Sequence, residues 1–166
     1  MTRPVAGILA GLAVLAADQA SKAWILYGLH LPDIGQVPLG PFFSLTMVWN
    51  QGVTFGLFHQ SGTTGVLILS AVAVAVVVAL GFWLRRAETW RAAVALGAIG
   101  GGAIGNVIDR LRFGAVVDFL HAHAFGYSWY VFNVADAAIV CGVAVLGLTN
   151  TRSRLRATSP GTKTPA

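Results

Sequence analysis

Four long apolar stretches decide what this chain of 166 residues can become. They run over 5–29, 62–84, 92–108 and 129–149, and a helix needs about 20 residues to cross a hydrocarbon core. Only 10% of the residues are charged and 56% are hydrophobic, whereas a soluble domain carries about 25% charge. Such a chain cannot cover a water-facing surface. An ordinary soluble enzyme, a disordered chain and a secreted disulfide scaffold are therefore excluded. The single cysteine, Cys141, allows no internal disulfide and no CxxC motif. The expected architecture is an all-α integral membrane protein. It has four transmembrane helices, a small extracytoplasmic β-sheet between the first and second, and one membrane-embedded domain over 1–150.

The net charge of +5 reports topology. Arg3, the loop Arg85/Arg86/Arg91 and the tail Arg152/Arg154/Arg156/Lys163 flank apolar runs, so the positive-inside bias places both termini in the cytoplasm. No basic stripe interleaved with aromatics is present, and no nucleic-acid partner is expected. The start resembles a cleavable signal peptide, but apolar residues resume at Ala23-Trp24-Ile25-Leu26-Tyr27, so a retained first span is expected. Between the first two spans, Pro32, Pro38 and Pro41 break any helix. Phe43, Leu45, Met47 and Trp49 then alternate with polar residues, a period of two that marks a strand within an outer segment over 36–58. Residues 151–166 read as a disordered cytoplasmic tail.

Ionisable residues inside spans are expensive and need a partner or a task. Of six acidic residues, Asp33 and Glu88 fall in polar segments, while Asp18, Asp109, Asp118 and Asp136 lie within or beside spans. Asp18 and Lys22 are one helical turn apart, as an ion pair requires. Gly97, Gly101 and Gly105 form a bare face for close helix packing. Asn106, Asp109 and Arg110 share one face at spacings of three and four, and partners other than each other are expected for Asp109 and Arg110. Asp136 falls seven positions into the fourth run, about 10 Å below its outer boundary. Asp118 lies in the apolar run Val116–Leu120. Should these two carboxylates meet, desolvation and repulsion would keep one protonated beside an anionic partner, as water activation needs. A proton relay and a structural role remain open at this point. His121-Ala122-His123 lacks a third ligand, and no metal is expected there.

These clusters together resemble the lipoprotein signal peptidases (signal peptidase II), bacterial membrane aspartyl proteases. Asp18-Gln19-Ala20-Ser21-Lys22 is similar to the family's first-helix motif, and Asn50-Gln51-Gly52-Val53-Thr54-Phe55-Gly56 to its NxGxxF stretch. Gly105–Arg110 is similar to GNxxDR, Val117-Asp118-Phe119 to VDF, and Phe132–Asp136 to FNxAD. Thr54 departs from the small apolar residue expected at its position. The resemblance implies that Asp118 and Asp136 are the catalytic dyad. It implies that Asn50, Gly102, Asn106, Arg110, Asn133 and Ala135 bind or brace the substrate, with Asp18, Lys22 and Asp109 as support. It further implies diacylglyceryl-modified prolipoproteins as substrates and membrane lipids as surroundings, in a monomer that needs no cofactor and takes globomycin-type inhibitors. The implied location is the bacterial inner membrane, with the site near the outer leaflet. The alternative from the residues alone is a small proton-coupled transporter or channel subunit using Asp18, Asp109 and Asp136.

Overall fold

The computed structural model describes residues 1–52 and 62–158. Helix α1 spans Arg3–Ala23 and continues through a π-helical turn, Trp24–Gly28, into the short helix α2, Leu31–Ile34. Strands β1 (Gln36–Pro38) and β2 (Phe43–Asn50) follow, then the long helices α3 (Gly62–Arg85) and α4 (Trp90–Phe113). Strands β3 (Val116–Ala124) and β4 (Tyr127–Phe132) lead into α5 (Val134–Thr158). Three helical runs, Arg3–Gly28, Thr63–Arg85 and Trp90–Phe113, are long and apolar enough to cross a membrane; Val134–Thr149 is a shorter apolar stretch.

Local chemistry explains the boundaries. Pro4 opens α1, where a missing N–H costs nothing. The Thr89 hydroxyl caps α4 by accepting from the Ala92 N–H at 3.1 Å. Gly114 ends α4 in the left-handed conformation (φ 73°), which turns the chain directly into β3. Helix α1 packs along α4 through facing glycines. A Cβ on Gly97 or Gly101 would collide with the carbonyls of Gly7 and Gly11, so the seam exists only because both faces are bare.

The four strands form one antiparallel sheet in the order β1-β2-β3-β4. Beneath it Ile25, Leu26 and Leu31 from the end of the first helical run meet Leu45, Val117 and Phe119. Ile25, Leu31 and Val117 are fully buried, each contributing about 1.5–3 kcal/mol relative to exposure.

Four expectations need correction. The sheet is not confined to the segment between the first two spans, because half of it lies between α4 and α5. The fourth apolar run does not start as helix at Trp129: Tyr127–Phe132 is strand β4, and α5 begins at Val134. Aromatic and β-branched residues satisfy a strand as well as a span, and pairing with β3 decides. Asp136 therefore sits in the first turn of α5, not deep inside a span. Residues 151–158, expected to be disordered, continue α5 as helix. Residues 53–58 of the outer segment, Thr54 included, lie outside the described residues, as do 159–166.

Candidate active site

The site forms where the sheet meets the ends of α1, α4 and α5. Asn133 and Asp136 build its first part by closing a reciprocal cap on α5. The Asn133 side-chain oxygen accepts the Asp136 backbone N–H at 2.9 Å, and Asp136 Oδ2 accepts the Asn133 backbone N–H at 3.3 Å. This is a capping box with Asn and Asp in place of Ser and Glu. It puts a carboxylate at the positive end of a helix dipole, where negative charge is favoured.

The cap leaves the Asn133 Nδ2 group pointing away from the helix, and it donates to Asp118 Oδ1 at 2.7 Å. Asp118 comes from β3 and is 1% exposed. Its other oxygen accepts from Asn50 Nδ2 at 2.8 Å, a diagonal contact between paired strands. Asn50 is itself oriented, because its Oδ1 accepts the Gly52 N–H at 2.9 Å. Asn106 of α4 completes the set by donating through Nδ2 to Asp136 Oδ1 at 2.8 Å. One asparagine thus holds both carboxylates, and two more hold one each. Burial raises the Asp118 carboxyl from 3.8 to about 6; the Asp136 charge adds to the rise, while the Asn50 and Asn133 hydrogen bonds oppose it.

Behind this pair lies a second polar network. Lys22 donates to Asp18 Oδ2 at 2.8 Å and contacts Asp109 Oδ2 at 2.7 Å. Gln19 bridges the same two carboxylates at 3.2 Å each. Asp18 also accepts the Ala135 N–H at 3.0 Å, and Asp109 accepts the Val117 N–H at 3.1 Å. These bonds tie α1 to α5 and α4 to β3, just beside the residues that carry the first pair.

A cleft of about 1230 Å³ opens at Asp118 and is lined there by Asn50 and Arg110, with Trp129 and Tyr130 from β4. Arg110 Nη1 donates to the Asn106 carbonyl at 3.3 Å, and its Nε is buried without a partner among the described residues. Gly102 and Ala135 do not line this cleft. Gly102 sits against the Ala135 carbonyl, so their smallness sets the approach of α4 to α5. Asp33 and Glu88 are exposed. His121 lies in β3 and is bonded to Ser128 Oγ at 2.6 Å.

Sequence reasoning missed two things. Gln19 carries a bridging role, and the available signal was a polar side chain inside an apolar run. The cap formed by Asn133 has no sequence signal while the apolar run from Trp129 reads as continuous helix.

Fold and site define a multi-pass helical membrane protein with one buried and one half-buried carboxylate held together by asparagine amides. Residues 10–152 match the family model described as Signal peptidase (SPase) II. The chain is 52% identical over 159 residues to the lipoprotein signal peptidase of Methylorubrum extorquens (strain PA1), covering 96% of this chain and 93% of that protein. It is 50% identical over 150 residues to that of Rhodopseudomonas palustris (strain ATCC BAA-98 / CGA009), covering 88% and 92%. A solved structure of a bacterial membrane enzyme, determined in meso at 2.3 Å resolution, superposes with a TM-score of 0.74 at 26% identity, covering 96% of this chain and 93% of that one. The chain belongs to the signal peptidase II family.

Proposed function

We propose that this protein removes signal peptides from diacylglyceryl-modified prolipoproteins, cutting before the lipid-modified cysteine with water activated by Asp118 and Asp136. The observation that carries the mechanism is the Asn133 bridge, which brings the buried Asp118 of β3 and the half-buried Asp136 of α5 into one hydrogen-bonded unit. The anionic carboxylate takes a proton from water as its oxygen bonds to the scissile carbonyl carbon. The protonated one gives its proton to the carbonyl oxygen. Collapse of the tetrahedral intermediate breaks the C–N bond, and a proton returned from the dyad leaves with the cysteine amine. Asn50 and Arg110, on the cleft wall beside Asp118, would hold the peptide, while Gly102, Asn106, Asn133 and Ala135 brace the dyad. Asp18, Lys22 and Asp109 hold the helices that carry it.

In this reading α5 is the fourth span and residues 1–150 form a single peptidase domain in the bacterial inner membrane. Both termini are cytoplasmic, as the arginine distribution supports, so the sheet and dyad lie at the outer leaflet. With Asp136 in the first turn of α5, the scissile bond need not descend far into the leaflet. Two acyl chains hold the substrate at that height, each buried CH₂ contributing about 0.8 kcal/mol, and so reduce the orientational cost of reaction. The enzyme works as a monomer among membrane lipids, and a globomycin-type inhibitor would occupy the same cleft.

Purified protein offered a diacylated precursor and the same precursor without lipid, in one micelle type, tests the substrate. Efficient cleavage of the first and poor cleavage of the second is expected. Equal rates would remove lipid recognition from the reading.

A further inference from the structure

The asparagines around the dyad are useful only in one orientation, since a turned amide would present an oxygen to a carboxylate. For two of them a backbone N–H sets that orientation: Gly52 N–H bonds the Asn50 oxygen and Asp136 N–H bonds the Asn133 oxygen. Asn106 has no backbone donor on its oxygen among the described contacts. Its Oδ1 accepts instead from Lys22 Nζ at 3.2 Å and from Asn133 Nδ2 at 3.1 Å. An ammonium has three N–H groups and no acceptor. Lys22 spends one on Asp18, one on Asp109 and the third on Asn106. That third bond is not needed for charge neutralisation, and Lys22 is 3% exposed, so no water competes for it.

We propose that Lys22 is a positioning residue for the reaction: its third N–H, together with Asn133 Nδ2, locks the Asn106 amide with Nδ2 toward Asp136, a donor that favours the anionic form of that carboxylate. The proposal rests on the peptidase reading for its effect on rate, but not for its effect on the proton. Both Asp136 oxygens then face N–H donors, Asn106 Nδ2 and the Asn133 backbone, at the positive end of α5. The charged groups around the pair are Lys22 and Asp18 on α1, Asp109 and Arg110 on α4, and each carboxylate to the other.

The test uses the charge-balanced double variant Asp18→Asn/Lys22→Met, which removes one acid with one base and leaves an oxygen at position 18 for the Ala135 N–H. Carboxyl ¹³C titration of selectively labelled aspartates, which needs no substrate, should show Asp136 gaining protonated population at pH values where it is anionic in the parent protein. Asn106→Leu should show the same gain. On precursor, the double variant should lose kcat with little change in KM. Combining it with Asn106→Leu should change kcat by no more than about twofold beyond Asn106→Leu alone, the scatter of non-coupled sites. An unaltered Asp136 titration, or losses that multiply in the combined variant, would overturn the proposal. Should the double variant fail to fold, Asn106→Asp decides. Its new carboxyl must be protonated to replace the Nδ2–H, so its rate relative to the parent should rise as pH falls; a constant ratio overturns the proposal. A parent protein that leaves the precursor uncut counts against the peptidase reading alone, because the titration still answers for Lys22.

Discussion

Two pairs of carboxylates lie side by side in this molecule, all but the half-buried Asp136 fully buried, and they are treated in opposite ways. Asp18 and Asp109 share a lysine ammonium at 2.8 and 2.7 Å and a glutamine amide between them. Asp118 and Asp136 have no ion pair among the described residues and are held by Asn50, Asn106 and Asn133. A cation in contact fixes a carboxylate as an anion and makes it a fastener. Neutral donors orient a carboxylate and bias its charge less than a contacting cation does, so the pair can still pass a proton. In the proposed reading the same residue type thus serves as latch or as acid–base centre according to whether its neighbour carries charge. Asn106 touches both sets, bonding Lys22 on one side and Asp136 on the other.

The sharpest way to break this comparison is to remove ionisation from the second pair. Asp118→Asn and Asp136→Asn should each reduce kcat by about 10²–10⁴-fold, the range of positioned acid–base groups, with membrane insertion retained. Cleavage assays on diacylated precursor beside detergent-solubilised melting curves check both halves. Loss of fold with loss of activity would make the second pair a latch like the first.

The first pair should fail in the other direction. Lys22→Met strands two carboxylates in a site where Lys22 is 3% exposed and Asp18 0%. Breaking a buried pair from one side costs about 3–5 kcal/mol. The expected outcome is a large fall in Tm for this single change, measured in the same detergent as the parent. A Tm equal to the parent's would show that water already reaches the network.

How far the sequence reveals this difference depends on the element involved. The helical seams were legible, because Gly97, Gly101 and Gly105 repeat at four and Asn106, Asp109 and Arg110 share a face whatever the partner. The Asp18–Lys22 pair was legible for the same reason. Strands β3 and β4 were not. Val116–Phe119 is buried on both faces, so the alternation that exposes a half-solvated strand never appears. Tyr127–Phe132 is apolar enough to extend a span, and reading it so moved Asn133 into a helix interior, where no cap can form. The bridge between Asp118 and Asp136 depends on that cap and became visible only with the start of α5 at Val134.

The smallest expected effect sharpens the comparison most, because it isolates charge from packing. Asp118 has its carboxyl raised to about 6 by burial and by the charge of Asp136, whereas an unfolded chain titrates near the ordinary 3.8. Between these values the folded protein binds the proton and the unfolded chain has released it. Stability must therefore fall as pH rises from about 4 to about 6 and flatten above, the sign opposite to that of an ion-paired aspartate. Asp118→Asn removes the titrating group, so its Tm should lack this part of the slope even if the amide shifts the curve as a whole. Asp136→Asn should move the falling segment to lower pH, since the like charge that helps to hold the proton is gone. Melting curves at half-unit pH steps for the three proteins give the answer without any substrate. Parallel slopes in parent and Asp118→Asn would mean that Asp118 is already ionised throughout, and the two carboxylate pairs would no longer differ in kind.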